Sequence, residues 1–147
     1  MSSALGIEQR CILECTFNEG VVDNGGRALL LVKLRKSVNT DAETAEVWID
    51  TGFTGDLVLP ASAIESLELE LSGSVDATLA DGSEVALSTF SCLIEWFGHV
   101  KSLEIIANDG ECPLLGVGLL LGLELRIDYR NLQLELTPAK KEGVSVG

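Results

Sequence analysis

The chain has 147 residues and a formal net charge of −13, and 46% of its residues are hydrophobic. This length fits one domain, and the apolar content suffices for a hydrophobic core, which excludes a mainly disordered chain. Because so acidic a protein repels phosphate groups, the charge argues against nucleic-acid and membrane-surface partners.

Strands separated by turns are predicted for the first part of the chain. Cys11 and Cys15 lie roughly 13 Å apart if their segment is extended, too far for a disulfide or a shared metal. Since His99 is the sole histidine, we expect no metal site. We also expect no cofactor. In chain order, the strand patterns cover residues 10–17, 28–36, 45–50 and 56–59.

The middle of the chain predicts a helical turn and a hairpin. Pro60 suits the first position of a short helix at 60–66. Alternating Leu and Glu residues predict a strand at 67–71, followed by a turn at 72–74. Asp81-Gly82 is a strong hairpin signal. The strands on its two sides are predicted at 75–80 and 84–97, and a further strand at 100–107.

The last part of the chain combines apolar residues with glycines. The apolar run 114–123 is too short to span a bilayer, and its second half predicts a short helix at 119–124. Two closing strands are predicted at 125–129 and 132–136. We therefore expect an all-β fold with about one helix. Residues 1–138 are expected to form a single domain, and residues 139–147 a flexible tail.

The sharpest functional signal is the tripeptide Asp50-Thr51-Gly52 at the end of an apolar strand. The strand anchors the acid in the core, and Gly52 lets a backbone or a ligand approach closely. Taken alone, the tripeptide is also explained as an ordinary strand-to-turn cap, in which Asp50 bonds its own loop.

Together with its surroundings, the tripeptide resembles that of the retropepsin-like aspartic proteases, the family of the retroviral proteases and small prokaryotic relatives. The resemblance covers residues 28–136. It comprises the strand ending in Asp50-Thr51-Gly52, a hairpin tipped by Asp81-Gly82-Ser83, and Leu114-Leu115-Gly116 before the closing elements. It implies a retropepsin-like closed β-barrel with a flap hairpin and one short C-terminal helix.

The resemblance also implies roles for individual residues. Asp50, Thr51 and Gly52 would be catalytic, and Gly116 would shape a structural loop. The expected substrate-binding residues are Phe53, Thr54, Asp81, Gly82, Ser83, Leu114 and Leu115. The sequence departs from the family at Phe53, where Ala or Ser is usual, and at its polar hairpin tip. It also carries Val117-Gly118 where retroviral members have an Arg-Asn/Asp pair that helps to hold the dimer.

Peptide hydrolysis of this type needs two carboxylates around one water, and the chain has one such tripeptide. The sequence therefore predicts a homodimeric aspartic endopeptidase acting on peptides or proteins. We see no targeting segment and expect a cytoplasmic location. Two alternatives stay open. One is a catalytically inactive retropepsin-fold module that binds peptides or serves as a dimer scaffold, and the other is an unrelated β-barrel with a chance tripeptide.

Overall fold

The computed structural model describes residues 18–140, which form ten strands, one α-helix and one 3-10 helix. The predicted strand with Cys11 and Cys15, and residues 141–147 of the predicted tail, lie outside the described residues. In chain order the elements are β1 (Asn18–Val22), β2 (Ala28–Arg35), β3 (Glu43–Ile49), β4 (Leu57–Pro60), α1 (Ala61–Leu67), β5 (Glu70–Thr78), β6 (Glu84–Trp96), β7 (His99–Asn108), β8 (Leu114–Leu115), the 3-10 helix (Val117–Leu119), β9 (Leu123–Asp128) and β10 (Gln133–Pro138).

One sheet contains all ten strands, in the order β5-β6-β7-β4-β8-β3-β2-β1-β10-β9. Most neighbours are antiparallel, but β3 with β8 and β4 with β7 are parallel. The 13-residue strand β6 also pairs with β2, so the pairings run from β6 through β7, β4, β8, β3 and β2 back to β6. The predicted mostly antiparallel β-domain is confirmed.

The core is built by strand alternation. In β2, the side chains of Leu30, Val32 and Leu34 are buried, while Leu31 between them is 64% exposed. A strand places successive side chains on opposite faces, so this alternation directs one face of β2 into the core. The same packing buries Val47 and the other members of one aliphatic cluster, which include Leu57, Leu59, Ile94, Ile105, Leu115, Leu119, Leu134 and Leu136.

The helix of the fold lies between β4 and β5. Pro60 precedes α1 with a φ of −70°, and Ile64 and Leu67 bury one side of the helix. Glu68 ends the helix in the left-handed conformation, and its amide donates to the carbonyl of Glu65. The short helix predicted here is therefore confirmed, since Pro60 favours a helix start and the apolar residues recur at its spacing.

Three sequence predictions are wrong. The strand predicted at 67–71 begins only at Glu70, because Leu67 is still helical, and the predicted turn at 72–74 is a β-bulge within β5. The C-terminal helix predicted at 119–124 is replaced by the 3-10 helix Val117–Leu119. Gly122, with a φ of +81°, forms a left-handed turn after it, and the chain enters β9 at once.

Candidate active site

The acid Asp50 lies where β3 ends, beside the two-residue strand β8. β8 is inserted between β3 and β4, with Ile49 opposite Leu115 in a parallel pair and Leu57 opposite Leu115 in an antiparallel one. The amide of Asp50 donates to the carbonyl oxygen of Leu115 at 2.8 Å. The position of the acid is thus set by strands on both sides of β8.

The turn after Asp50 is closed by hydrogen bonds to the acid itself. The Gly52 amide donates to Asp50 Oδ1 at 2.9 Å, and the Phe53 amide donates to the Asp50 carbonyl oxygen at 3.2 Å. Asp50 is half-buried, whereas Thr51 and Gly52 are exposed. Among residues 18–140, Asp50 Oδ2 has no hydrogen-bond partner. One carboxylate oxygen is therefore anchored, and the other is available to a ligand.

A second set of bonds clamps the Asp50 loop, residues 50–56, onto the segment after β8. The amide of Gly116 donates to the carbonyl of Asp56 at 2.9 Å, and that of Val117 donates to the carbonyl of Phe53 at 2.7 Å. The amide of Gly118 donates to the carbonyl of Gly55 at 3.0 Å. These bonds satisfy backbone groups of the loop and fix its conformation, so the position of the acid is fixed as well.

Glycines permit this close approach. A Cβ atom on Gly116 would lie 2.2 Å from the Gly55 carbonyl oxygen and 2.4 Å from Phe53 Cδ2. A Cβ atom on Gly55 would lie 2.5 Å from Phe53 Cζ. The half-buried Phe53 ring therefore packs on the backbones of two glycines. The family usually has a small residue at this position, and the larger Phe53 ring fits because Gly55 and Gly116 have no side chains.

A pocket of about 350 Å³ lies beside the acid. It is lined by Trp48, Ile49, Asp50, Thr51 and Leu114. Of these, sequence reasoning named Asp50, Thr51 and Leu114 and missed the two residues that precede Asp50. Trp48 lies two positions before the acid, and strand alternation, which places both on one face, was the signal that could have found it.

One cation approaches the wall of this pocket. The Arg27 guanidinium lies 5.6 Å from the centroid of the Trp48 ring, a cation–π distance. The side chain is held there because Arg27 Nε donates to Asp23 Oδ2 at 2.7 Å. Sequence reasoning did not identify Arg27, because contact between β3 and the turn before β2 arises only on folding.

The β5–β6 hairpin has an ordered polar tip. The Ser83 hydroxyl and amide donate to Asp81 Oδ1 at 2.6 and 2.9 Å, and these bonds hold the pKa of Asp81 below its ordinary value. Gly82 has a φ of +88° in the turn. Asp81, Gly82 and Ser83 are exposed, and none of the three lines the Asp50 pocket.

The remaining predicted residues have different surroundings. Thr54 is exposed on the Asp50 loop, whereas Leu115 is fully buried and contributes its carbonyl oxygen to the site. Within residues 18–140, no three His, Cys, Asp or Glu side chains are grouped to hold a metal ion. In the same range, no helix has the length and apolar character needed to cross a lipid bilayer.

Comparisons with known proteins address the fold. No protein-family model matches the sequence, and no curated protein sequence matches it either. A retropepsin-like aspartic protease from Rickettsia conorii is similar in structure, with a TM-score of 0.54 and 20% identity over 83% of this chain and 90% of that one. The EIAV protease, in complex with the inhibitor HBY-793, gives a TM-score of 0.48 and 19% identity over 67% of this chain and 88% of that one.

The match to the Rickettsia conorii structure bears on the fold alternatives left open by the sequence. It covers most of both chains. An unrelated fold with a chance tripeptide is therefore wrong, and the chain has a retropepsin-like fold.

Proposed function

We propose that the protein is an aspartic endopeptidase whose active site is formed by Asp50 from each subunit of a homodimer. The observation that carries the proposal is the arrangement of Asp50, clamped through Leu115 and Gly52, with one carboxylate oxygen unbonded in the described structure and a pocket beside it. The retropepsin-like fold supports it. The circuit of strand pairings supports the closed barrel that the resemblance implies.

In the proposed reaction, the two Asp50 carboxyl groups hold one water between them. The ionised carboxylate takes a proton from this water, whose oxygen attacks the peptide carbonyl carbon. The protonated carboxyl donates its proton to the carbonyl oxygen, which gives a tetrahedral diol intermediate. The first carboxyl then passes the proton it took from the water to the peptide nitrogen, and the second takes back a proton from a diol hydroxyl. The C–N bond breaks, and a carboxylic acid and an amine are released. Because two adjacent carboxylates repel, the pair shares one proton, so activity requires one member protonated and the other ionised.

The neighbouring residues take supporting roles in the proposal. Thr51 would bond across the dimer and stiffen the two loops, and the Gly52 carbonyl would accept from the substrate backbone. The β5–β6 hairpin would close over an extended peptide and pair with it as an added strand. Thr54 and Leu114 remain predicted substrate contacts, whereas the fully buried Leu115 would position Asp50 through its carbonyl oxygen. The single domain at 1–138, the tail at 139–147 and the cytoplasmic location also remain predictions.

The test is hydrolysis of an unstructured polypeptide. We expect Asp50→Asn to abolish cleavage while leaving the fold intact, since the amide has nearly the same shape but cannot act as the base. Asp41→Asn, in an exposed loop, is the matched control and should cleave normally. A transition-state peptide analogue should block the wild type. Unchanged hydrolysis by Asp50→Asn would contradict the aspartic mechanism.

Subunit mixing makes this test specific for a shared site. Excess Asp50→Asn protein should draw wild-type subunits into mixed dimers that hold one carboxyl group each, so activity should fall as the variant is added. Excess Asp41→Asn protein should cause no such loss. Activity that survives a large excess of Asp50→Asn protein would mean that one subunit suffices.

The second candidate function is an inactive module that binds peptides or acts as a dimer scaffold. It is favoured by the polar hairpin tip, whose residues lie outside the Asp50 pocket. Peptide binding without cleavage from acid to neutral pH, with equal binding by Asp50→Asn, would support this candidate over the enzyme.

A further inference from the structure

A cation, Arg27, lies over one wall of the Asp50 pocket in a strongly acidic protein. The chain has 10 Lys and Arg residues against 23 Asp and Glu residues, and none of the five residues that line the pocket is basic. The Arg27 guanidinium nevertheless lies 5.6 Å from the centroid of the Trp48 ring, which forms that wall. The proposed hydrolysis uses only two carboxyl groups and a water, so it leaves Arg27 without a role.

The strand register places Arg27 on the same face of the sheet as Asp50. Leu29 of β2 is opposite Trp48 of β3, and Trp48 is opposite Leu114 of β8. Opposite residues of neighbouring strands share a face, and so do alternate residues of one strand. Arg27 lies two residues before Leu29, and Asp50 two residues after Trp48. Continuing the antiparallel register therefore sets Arg27 opposite Asp50, with Trp48 and Leu114 beside them.

Asp23 holds the guanidinium over Trp48 and away from Asp50. Its Oδ2 accepts from Arg27 Nε at 2.7 Å, and its Oδ1 accepts from the backbone amides of Gly25 and Arg27 at 3.0 and 2.8 Å. These bonds, with that from the Arg27 amide first, lower the pKa of Asp23, so the anchoring carboxylate stays ionised. Within residues 18–140, Arg27 makes no ion pair with Asp50. The acid therefore keeps its unbonded oxygen for the proposed reaction.

The two terminal nitrogens of Arg27 are available to a ligand. A guanidinium has five N–H donors, and Asp23 accepts from the one on Nε. In the part of the chain that the structure describes, Nη1 and Nη2 make no hydrogen bond, and 45% of the side chain is exposed. The bond to Asp23 also raises the pKa of Arg27 above an already basic value, so the charge is permanent. Such a planar pair of charged donors binds a carboxylate through two parallel hydrogen bonds.

We propose that the Asp50 pocket binds an acidic side chain of the substrate, a Glu or an Asp next to the scissile peptide bond, and that Arg27 holds its carboxylate. The inference rests on the proposed function and names the substrate class of that site. Because Asp50 itself lines the pocket, a side chain bound there belongs to a residue at the reacting bond. The methylene groups of a Glu would contact Trp48 and Leu114. A symmetric homodimer would supply one such pocket for each side of the bond.

The charge balance of the site explains why this cation matters. The proposed pair of Asp50 carboxyl groups carries one negative charge, and the whole chain carries a formal charge of −13. Without a cation beside the pocket, both charges would repel an acidic side chain. Arg27 reverses this locally, since a contact of a few ångströms outweighs distant charges that salt screens. An amide of the same shape, as in Gln, would lack this attraction.

Two peptide pools test the preference. Each pool has one fixed central residue, Glu in one and Gln in the other, surrounded by mixed neutral residues. Both pools are digested together at about pH 6, where a Glu side chain is ionised. Mass spectrometry counts cleavage at the bonds beside the fixed residue, and this competition gives the ratio of the two kcat/KM values. We expect cleavage beside Glu to exceed cleavage beside Gln about tenfold.

Substitutions at Arg27 test whether this residue causes the preference. Arg27→Gln should bring the ratio of Glu to Gln cleavage to about one. Lys101→Gln, at an exposed position of β7 outside the pocket, is the matched control and should keep the wild-type ratio. Each variant changes the formal net charge from −13 to −14, so general repulsion is equal in both. Arg27→Glu should cleave a pool with a fixed Lys better than the Glu pool. Circular dichroism checks folding, to which an exposed ion pair adds little.

Binding to the Asp50→Asn protein separates this inference from the proposed function. Fluorescence anisotropy of labelled pools gives the two dissociation constants without hydrolysis, and we expect the same preference of about tenfold for Glu. The double variant Asp50→Asn/Arg27→Gln should lose it. A preference in binding that depends on Arg27, with no hydrolysis by the wild type, contradicts the proposed function and supports the inference. Hydrolysis with equal use of both pools, or a preference that survives Arg27→Gln, overturns the inference alone. Neither binding nor hydrolysis of either pool overturns both.

Discussion

The backbone amide of Asp50 donates a 2.8 Å hydrogen bond to the carbonyl oxygen of Leu115. This bond joins two segments that are distant in the chain, the tripeptide after β3 and the two-residue strand β8. The loop that carries the acid therefore depends on β8 and on Gly116, which follows it. Changes in this second segment should affect both stability and the geometry of the acid.

Gly116→Ala should strongly destabilise the protein. The added Cβ would meet the Gly55 and Phe53 carbonyl oxygens at 2.2 and 2.7 Å, and backbone atoms cannot move aside as a flexible side chain can. We expect the free energy of unfolding in urea to fall by at least about 2 kcal/mol. Gly110→Ala is the control, since its Cβ would approach only Asn108 at 3.5 Å. Equal stability of the two variants would contradict the clamped loop.

Cys92 should make stability fall at alkaline pH. Burial raises the pKa of its thiol from an ordinary value of 9.0 to about 11. Between these values the unfolded state loses a proton that the native state keeps, so the free energy of unfolding falls as pH rises, by about 2 kcal/mol at pH 11. Cys92→Ala should lack this component. The measurement is the free energy of unfolding in urea at a series of pH values and fixed protein concentration. The same dependence on pH in the wild type and in Cys92→Ala would contradict the prediction.

The Asp81 carboxyl should titrate differently without its hydroxyl partner. The Ser83 hydroxyl bond is the main cause of the lowered pKa of Asp81, and the Ser83 amide bond adds to it. In Ser83→Ala the pKa of Asp81 should therefore rise toward its ordinary value, as followed by NMR of the carboxyl carbon. The pKa of Asp128, lowered mainly by bonds from Asn131, should stay unchanged as a control. No rise at Asp81 would mean that the tip does not hold this bond in solution.

Salt should tighten the homodimer. Each subunit carries a formal charge of −13, and the repulsion between two such subunits acts over the whole surface. Raising the salt from about 0.05 M to about 0.5 M shortens the screening length from roughly 14 Å to roughly 4 Å. We expect the dimer dissociation constant to fall, measured by sedimentation equilibrium. A dissociation constant that rises with salt would contradict this prediction.

Local sequence patterns predicted most of the strands. The alternation along β2 and the Asp81-Gly82 turn of the β5–β6 hairpin depend only on residues adjacent in the chain, so both could be predicted from the sequence. The apolar run at 114–123 was mispredicted in part, because an apolar run interrupted by glycines has no clear period. There, contacts of Gly116 and Gly118 with the Asp50 loop decide the conformation.

By itself, the sequence determined a mainly antiparallel β-domain and singled out Asp50-Thr51-Gly52 as the chemical signal, because strand alternation and turn chemistry are local properties. Only the tertiary structure decided that β8 enters between β3 and β4, that Trp48 lines the pocket, and that Arg27 lies over the Trp48 ring. These features join residues far apart in the chain. Their free energy comes from burial and hydrogen bonds that exist only after the segments have packed together.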